Sequence, residues 1–482
     1  MSPSHAAPRT GAIISVLAAG GITVSLMQTL IVPLISSLPT LLHTTAANAS
    51  WAITATLLAG AIAMPVAGRL GDLYGKRRVI VASALLLAIG SLVCAPANSL
   101  TPMVIGRSLQ GLGMAVIPLG IAIMRDILPP QRLGSAIALM SSSLGVGGAL
   151  GLPAAALVAQ NLNWHALFWG SAGLGLLLCV LVLLIVPESR VTSPGRFDFV
   201  GAVGLSAGLV LLLLPISKGS DWGWTSGTTL GMFAASAAIL LLWGWWELRS
   251  PAPLMDLRTS VRPQVLMTNL ASVVIGFAMY AMSLITPQLL QLPAATGYGL
   301  GQSMVEAGLW MAPAGLVMMA ISPLAARLSA VRGPKISLLL GTLVIASGYA
   351  LALALMDSAW GVLIFSAVIS AGIGFAYAAM PTLIMSAVPP TETAAANGLN
   401  SLMRAIGTSS ASAVLGAVLG TMTVKLGPVT LPSEDGFRVG LFIGGGAALL
   451  AALVVLAVPG RRAGAHRLVD TPAGLDLVRA GA

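Results

Sequence analysis

The chain has 482 residues, of which 57% are hydrophobic and only 8% are charged, and its formal net charge is +10. Apolar runs of about twenty residues recur from end to end, and each is long enough to cross a bilayer. This composition excludes a soluble multi-domain protein, since no polar stretch exceeds a loop or a short tail.

The apolar runs predict fourteen transmembrane helices, because a long apolar segment satisfies its backbone hydrogen bonds in lipid only as a helix. We interpret the first run as a retained span and not as a cleaved leader. The predicted spans cover residues 12–34, 50–67, 79–95, 102–124, 133–158, 166–187, 199–217, 226–246, 265–288, 304–326, 336–356, 360–386, 398–422 and 438–459.

The lysines and arginines are distributed unequally between the two sides of this predicted topology. Of the 24 basic residues, nineteen fall on one side, three fall on the other, and Arg107 and Arg404 lie within spans. Basic residues accumulate in cytoplasmic loops, so we predict that both termini are cytoplasmic. Topology then explains the net charge, and we expect no nucleic-acid partner.

The chain also contains a weak internal repeat. The segment QGLGMAV at 110–116 aligns with AGIGFAY at 371–377, an offset of 261 residues. Six spans account for about 200 residues of such an offset, so two further spans are inserted between two repeated halves. We therefore predict an all-α polytopic membrane protein with a six-helix half at 1–187, two inserted helices and their loops at 188–263, a second six-helix half at 264–460 and a cytoplasmic tail at 461–482.

The segment GRLGDLYGKRR at 68–78 concentrates charge between predicted spans two and three. It resembles the Gly-x-x-x-Asp-x-x-Gly-Arg/Lys-Arg/Lys loop signature of the major facilitator superfamily. Asp72 offers a carboxylate that can accept hydrogen bonds from a helix N-terminus or pair with an arginine, and such a link can break when two halves rock. We predict a gating latch at Gly68, Asp72, Gly75 and Arg77. A topology anchor alone explains the basic residues equally well, but not Asp72 and the two glycines.

Arg107 and Gln110 lie inside the predicted fourth span, in GRSLQGLGMAV. An unpaired arginine at the centre of a membrane helix costs at least ~2.5–3.5 kcal/mol, so this side chain must face protein or water. The segment resembles the Arg-x-x-Gln-Gly signature of the same superfamily, which implies a role in energy coupling. The alternative is a structural arginine that donates hydrogen bonds to carbonyls of neighbouring helices.

Predicted span five, SSSLGVGGALGLPAAALVA, is rich in small residues. Gly145, Gly147, Gly151 and Pro153 resemble the antiporter signature Gly-x-x-x-Gly-Pro-x-x-Gly-Gly, which marks drug exporters of the superfamily. The match is imperfect, because the proline follows Leu152 instead of a glycine. Close packing of small residues without a role in export is therefore the alternative.

The fourteen spans, the inserted pair and these signatures together resemble the fourteen-span drug:proton antiporter family over nearly the entire chain. The resemblance implies a secondary active transporter that exports drug-like or antibiotic amphipathic molecules across the bacterial cytoplasmic membrane, by proton antiport with alternating access. We expect a small-molecule substrate, protons and the lipid bilayer as partners, and we expect a monomer, although the sequence itself does not determine the oligomeric state.

One departure from the family bears on the mechanism. The family usually has an aspartate in the first span, where SLMQTLIVP has Met27. No carboxylate lies deep in any predicted span, Glu306 being the closest, and the four histidines fall in tails or external loops. Proton coupling therefore rests on the resemblance alone. Two alternatives stay open: an uptake carrier or facilitator of a small metabolite without proton coupling, and a transport-inactive membrane sensor or scaffold.

Polar-tipped and aromatic side chains within the spans are the candidates for a substrate cavity. They are Gln28, Gln288, Trp310, Tyr377 and Arg404. A cavity that contains Arg107 and Arg404 without a carboxylate repels lipophilic cations, so we predict neutral or anionic amphipathic substrates. Arg404 could instead reach the cytoplasmic surface along its own side chain, and Trp310 could lie in the interfacial aromatic belt.

Other chemistry has little support in the sequence. It contains no Gly-x-x-x-x-Gly-Lys-Ser/Thr loop, and Cys94 and Cys179 are far apart within spans. We therefore expect no enzymatic activity, no cofactor and no metal site.

Overall fold

The computed structural model describes residues 10–31, 34, 37–426 and 429–459. Within these residues fourteen helices are long and apolar enough to cross a membrane, which confirms the predicted number. The predicted tail at 461–482 lies outside the described residues. In chain order the helices are α1 Thr10–Thr29, α2 Trp51–Tyr74, α3 Lys76–Cys94, α4 Leu100–Ile127, α5 Pro130–Asn161, α6 His165–Ile185, α7 Phe199–Trp222, α8 Gly227–Arg249, α9 Pro263–Gln291, α10 Met304–Arg332, α11 Pro334–Leu355, α12 Ala359–Met385, α13 Thr393–Thr421 and α14 Glu434–Leu456.

Short elements that the sequence did not predict lie within or between these helices. A 3₁₀ turn at Gly113–Ala115 interrupts the α-helical pattern of α4. Between α13 and α14 the chain forms an antiparallel hairpin of β1 Thr423–Leu426 and β2 Val429–Pro432. Short helices occur at Leu38–Leu41, Ala46–Ala49 and Leu257–Ser260.

Polar caps mark where several helices begin. Ser303 and Glu306 form a capping box at the start of α10, in which each side chain accepts a hydrogen bond from the other residue's backbone N–H. Asp198 caps α7 by accepting a hydrogen bond from the N–H of Gly201 at 2.8 Å. These contacts satisfy the free N–H groups of the first turn. Glu306 is therefore a capping residue at the helix end.

The predicted loop at 68–78 is a single-residue turn. α2 continues to Tyr74 and α3 begins at Lys76, so Asp72 lies in the last turn of a helix and not in a loop. The chain reverses at Gly75, whose φ of +107° is a conformation that glycine adopts without strain. The predicted end of this helix, at residue 67, is too early. Hydropathy falls where the charged residues begin, whereas the helix continues past the apolar run.

Two groups of six helices, α1–α6 and α9–α14, pack across two long contacts, α2 against α13 and α5 against α10. The inserted helix α7 packs on α8 and also contacts both α2 and α13. Thus the inserted pair lies beside one of the two seams between the halves.

Most of the charged residues at helix termini lie on one side of the bundle. It is the end at which α2, α4, α8 and α10 finish. We call it the basic end, and the opposite one the far end. Its basic residues include Lys76, Arg77, Arg78, Arg125, Arg249 and Arg332.

Candidate functional site

Asp72 connects the two halves at the basic end. Its side chain is fully buried, and its two oxygens accept hydrogen bonds from the backbone nitrogens of Ala394 at 3.2 Å and Ala395 at 2.8 Å. Both nitrogens belong to the first turn of α13, where N–H groups are free and the helix dipole favours a negative charge. The carboxylate of one half thus binds the start of a helix in the other half.

A buried lysine lies beside this carboxylate. Lys76 Nζ is 3.4 Å from Asp72 Oδ1 and 2.7 Å from Asp126 Oδ2. Ser189 also donates a hydrogen bond to Asp126 Oδ2, at 2.5 Å. Neither Lys76 nor Asp126 is predicted as a site residue, because both fall outside the predicted spans. Their burial in a mutual ion pair offsets the penalty of removing charge from water.

The other predicted latch residues lie around this contact. A Cβ atom on Gly68 would lie 2.5 Å from the carbonyl oxygen of Ala394, so only glycine permits this approach of α2 to α13. Arg77 points elsewhere: its backbone N–H donates to Glu188 Oε1 at 3.1 Å, and its guanidinium donates to the carbonyl of Leu183. Arg77 therefore anchors α3 to the end of α6, and Lys76 takes the position beside Asp72.

Two more contacts link the halves at the same end. Arg125, at the end of α4, donates hydrogen bonds to Thr393 Oγ1 at 2.5 Å and to the carbonyl of Val388 at 3.3 Å. Ser193, in the segment before α7, donates its N–H to the carbonyl of Asp72 at 2.7 Å and its hydroxyl to the carbonyl of Thr391. The inserted segment thus takes part in closing the basic end.

Arg107 is enclosed within the first half. Its Nε donates to the carbonyl of Ala52 at 3.0 Å, and its Nη1 donates to the carbonyl of Met27 at 3.0 Å and to Gln110 Oε1 at 2.7 Å. Gln110 in turn donates to Ser91 Oγ at 2.7 Å. These bonds tie α1, α2, α3 and α4 together. The geometry is the one expected of a structural arginine, and it includes the backbone of Met27.

The small residues of α5 allow two close helix contacts. Gly147 and Gly151 face α1, where an added Cβ would lie 2.4 Å from Ser25 Cβ and 2.0 Å from Thr29 Oγ1, respectively. Gly145 and Pro153 face α10 of the other half, against Met318 and Gly308. The antiporter-like segment therefore forms part of the seam between the halves.

A narrow central void lies between the two halves, farther from the basic end than the Asp72 contact. Its volume is about 10 Å³, which is space for about one water molecule. Arg404 and Tyr377 share its wall, with the guanidinium carbon 4.9 Å from the centre of the ring. Arg107 is not part of that wall, contrary to the expectation that both arginines line one cavity. α13 begins at Thr393, so Arg404 lies about three turns inside the helix.

The remaining predicted cavity residues lie away from the described void. Gln28 donates to Met114 Sδ at 3.3 Å, and Gln288 donates to the carbonyl of Leu284 in its own helix at 3.0 Å. Trp310 donates to Gln302 Oε1 at 3.0 Å and its ring lies 5.0 Å from that of Trp360. Gln288 and Trp310 lie toward the far end, so only Tyr377 and Arg404 are brought together.

Buried amides also lie beside the void, and they are not among the residues predicted from the sequence. Asn397 and Asn400 lie in the wall, and Asn400 Nδ2 donates to Asn269 Oδ1 at 3.0 Å and to Ser272 Oγ at 2.6 Å. An amide inside an apolar span is a detectable signal, since burial of an unpaired amide is unfavourable. These groups supply neutral hydrogen-bonding capacity next to Arg404.

The amino-acid sequence is similar to those of known proteins. The sequence profile of the Major Facilitator Superfamily matches residues 17–412 and 292–479. Multidrug resistance protein Stp of Mycobacterium tuberculosis (strain CDC 1551 / Oshkosh) is 29% identical over 373 residues, which are 77% of this chain and 68% of the relative. The tetracenomycin C resistance and export protein of Streptomyces glaucescens is 28% identical over 383 residues, 78% of this chain and 70% of the relative.

Further similarities concern a third relative and the fold. Multidrug transporter protein MdtP of Bacillus subtilis (strain 168) is 25% identical over 398 residues, covering 80% of this chain and 72% of the relative. The human organic anion transporter MFSD10 has a TM-score of 0.66 at 16% identity, covering 93% of this chain and 100% of that one. The proton:xylose symporter XylE has a TM-score of 0.65 at 16% identity, covering 93% and 96%. The chain therefore belongs to the Major Facilitator Superfamily and is a multi-pass protein of the bacterial cytoplasmic membrane.

Proposed function

We propose that this chain is a secondary active transporter that exports drug-like amphipathic molecules by proton antiport with alternating access. The observation that carries the proposal is the contact of Asp72 with the first turn of α13. It consists of two hydrogen bonds between the halves. Such a contact can open and close without unfolding either half, which alternating access requires.

The basic end is the cytoplasmic end in this proposal, because basic residues accumulate in cytoplasmic loops. The latch then closes the cytoplasmic side, and the structure corresponds to an outward-facing or occluded state. The transporting halves are residues 1–187 and 264–460, and the inserted pair at 188–263 borders the seam that moves. A latch that opens inward would admit substrate from the cytoplasm or the inner leaflet.

The names of the relatives support drugs as the substrate class. Stp and MdtP are called multidrug proteins, and the third relative is called a resistance and export protein. In this chain Arg404 and Tyr377 present a cation and an aromatic face to the void. A neutral or anionic amphiphile is compatible with that wall, whereas a lipophilic cation is repelled by the guanidinium.

A facilitator without proton coupling is the second candidate. One observation favours it: the residues that line the described void include no carboxylate and no histidine. A proton-coupled carrier needs a group that gains and loses a proton during the cycle. In the antiport proposal Asp72 is a carboxylate that bridges the moving seam, and its protonation would weaken the contact with α13.

The direction of transport is tested in cells. A bacterial strain without its own efflux pumps would express the chain or its Asp72→Asn variant, and both would be loaded with a neutral fluorescent amphiphile. We expect lower accumulation with the parent chain than with the variant at equal membrane abundance. Higher accumulation with the parent would indicate uptake and would contradict the proposal.

A further inference from the structure

Two acidic side chains meet where the inserted helix α7 begins and α8 ends. Asp198 is the N-cap of α7, and Glu247 lies in the last turn of α8. A Cβ atom placed on Gly201 would lie 2.8 Å from Asp198 Oδ2 and 2.4 Å from Glu247 Oε1, so both oxygens lie beside the same point. We call Asp198 and Glu247 the acidic pair. Nothing in the transport cycle proposed above uses it.

Asp198 has the surroundings of an ionised carboxylate. Its Oδ1 accepts a hydrogen bond from the backbone N–H of Gly201 at 2.8 Å, and its Oδ2 accepts one from Trp246 Nε1 at 2.9 Å. Hydrogen bonds from two donors stabilise the charged form of a carboxyl group. The positive end of the helix dipole at the start of α7 acts in the same direction. Asp198 therefore carries the negative charge of the acidic pair.

Glu247 has the opposite surroundings. It is 3% exposed, and its Oε2 accepts a hydrogen bond from the backbone nitrogen of Met255 at 3.3 Å. Its Oε1, the oxygen on the side of Asp198, has no hydrogen-bond partner in the described part of the chain. The last turn of α8 is the negative end of a helix dipole. Burial, the helix end and the neighbouring carboxylate thus all oppose a second negative charge.

No basic side chain compensates such a charge. Among the described residues, no lysine or arginine forms an ion pair with Asp198 or Glu247. Glu247 also contributes to the wall of a cavity of about 670 Å³ at the basic end, whereas Gly201 and Asp198 do not. Its Oε1 therefore faces α7 and not the charged residues of that wall, while the cavity gives water a route to the carboxyl group. Those charged residues are Arg69, Arg249, Asp256, Arg258 and Glu392.

We propose that the acidic pair holds one proton, which Glu247 Oε1 donates to Asp198 Oδ2, and that release of this proton to water separates the end of α8 from the start of α7. A hydrogen bond from a carboxyl to a carboxylate is short and strong. When the O–H bond of Glu247 breaks, its electron pair stays on the oxygen, and two adjacent negative charges repel each other. The contact is therefore stable at lower pH and is lost as the pH rises.

The effect of the proton extends to the seam between the halves. Glu247 accepts a hydrogen bond from the N–H of Met255. Leu254 and Met255 are buried in one apolar cluster with Ala61 of α2 and Leu399 of α13. Movement of the end of α8 thus disturbs a segment that packs on both halves at the basic end. The inserted pair would in this way respond to the pH on the basic side.

The first test detects the proton itself, in the purified chain without substrate, so its failure leaves the export proposal unaffected. Infrared difference spectra in maltoside detergent would be recorded as the pH is raised from about 5 to about 9. Each carboxylic acid that loses its proton in this range loses its C=O band. The variants are Glu247→Gln, which cannot ionise, and Asp198→Asn. Asp357→Asn, on an exposed loop, is the matched control.

We expect the parent chain and the Asp357→Asn control to lose the band of one carboxylic acid that Glu247→Gln lacks at every pH. Asparagine also caps helices, so Asp198→Asn keeps the start of α7. It removes the neighbouring charge and adds an N–H donor beside Glu247 Oε1. The band should then be lost at least about one pH unit lower, which is a tenfold weaker affinity for the proton.

The second test measures the movement of α8. Cys94 and Cys179, which are free and buried, would be replaced by alanine, and a nitroxide would be attached to a cysteine at Ser250, directly after α8. We expect the nitroxide to become more mobile with the same pH midpoint as the loss of the infrared band. In Glu247→Gln it should keep its low-pH mobility throughout.

Three results would overturn the proposal. Identical infrared spectra of the parent chain and Glu247→Gln would show that Glu247 holds no proton. Equal pH midpoints in the parent chain and Asp198→Asn would show that Asp198 does not share the proton. A nitroxide whose mobility stays constant while the band is lost would exclude the separation of α8 from α7.

Discussion

The carboxylate of Asp72 lies 2.8 Å from the backbone nitrogen of Ala395, although 323 residues separate the two in the chain. Ala394 donates to the other oxygen of the same carboxylate at 3.2 Å. The contact joins the end of α2 to the start of α13, across one of the two seams between the halves. Opening of the basic end therefore requires this pair to separate.

Asp72→Asn should make the basic end open more readily. An asparagine keeps one acceptor oxygen but loses the charge, and a hydrogen bond to a charged group contributes about 1.5–3 kcal/mol. We expect a cysteine placed at Ser401, in the wall of the void, to react about tenfold faster with a maleimide supplied from the basic side. Asp357→Asn, on an exposed loop, is the control, and an equal rate in Asp72→Asn would contradict a latch.

Arg107→Ala should destabilise the first half. It removes the donors to the carbonyls of Met27 and Ala52, and each buried acceptor left unpaired costs about 1–3 kcal/mol. We expect a lower thermal denaturation midpoint and loss of transport. Gln110→Ala should have a smaller effect, because both carbonyl contacts of Arg107 remain. Loss of transport at an unchanged midpoint would show that Arg107 acts in coupling and not in holding the helices.

Gly147→Ala and Gly148→Ala form a matched pair on α5. A Cβ on Gly147 would lie 2.4 Å from Ser25 Cβ and 2.7 Å from the carbonyl oxygen of Ile22, whereas a Cβ on Gly148 meets nothing within 4 Å. Overpacking should destabilise the Gly147 variant by about 1–3 kcal/mol. The Gly148 variant should be neutral or more stable by up to about 1 kcal/mol, because alanine favours helix. Similar denaturation midpoints would contradict the close contact of α5 with α1.

Arg404→Gln should change the charge preference of transport. Removal of the guanidinium beside Tyr377 takes away a favourable partner for anions and a repulsive one for cations. We expect the apparent affinity for an anionic amphiphile to fall about tenfold, which corresponds to ~1.4 kcal/mol. Uptake of a cationic dye into inverted vesicles should rise. Arg327→Gln, an exposed residue of α10, serves as control, and an unchanged preference in Arg404→Gln would place the substrate elsewhere.

The number and order of the helices could be predicted because bilayer thickness sets a minimum length for an apolar run. The ends of the helices could not be predicted equally well. α2 and α13 extend beyond their apolar runs into segments with charged or polar residues, and the contact of Asp72 with Ala394 and Ala395 buries these extensions against each other. The predicted latch segment was therefore a turn at Gly75 and two helix ends.

The sequence predicts some residues of the candidate site and not others, because many of the contacts in the site join distant parts of the chain. A motif identifies Asp72, but no local pattern names its partners, the backbone of Ala394 and Ala395, which lie in the other half. Lys76 falls between two predicted spans, where hydropathy places a charged residue in water, but the structure buries it against Asp72 and Asp126. Long-range packing decides such positions, and a single sequence records it only indirectly.

Proton movement that depends on substrate tests the central claim most directly. Inverted membrane vesicles that contain the chain and a pH-sensitive dye would receive an imposed proton gradient and then neutral, anionic and cationic drugs in turn. The account predicts that a neutral or anionic drug dissipates the gradient, and that Asp72→Asn and Arg107→Ala, at equal abundance, abolish the effect. If labelled drug equilibrates across the membrane while no drug moves protons, the chain is a facilitator and the antiport proposal is wrong.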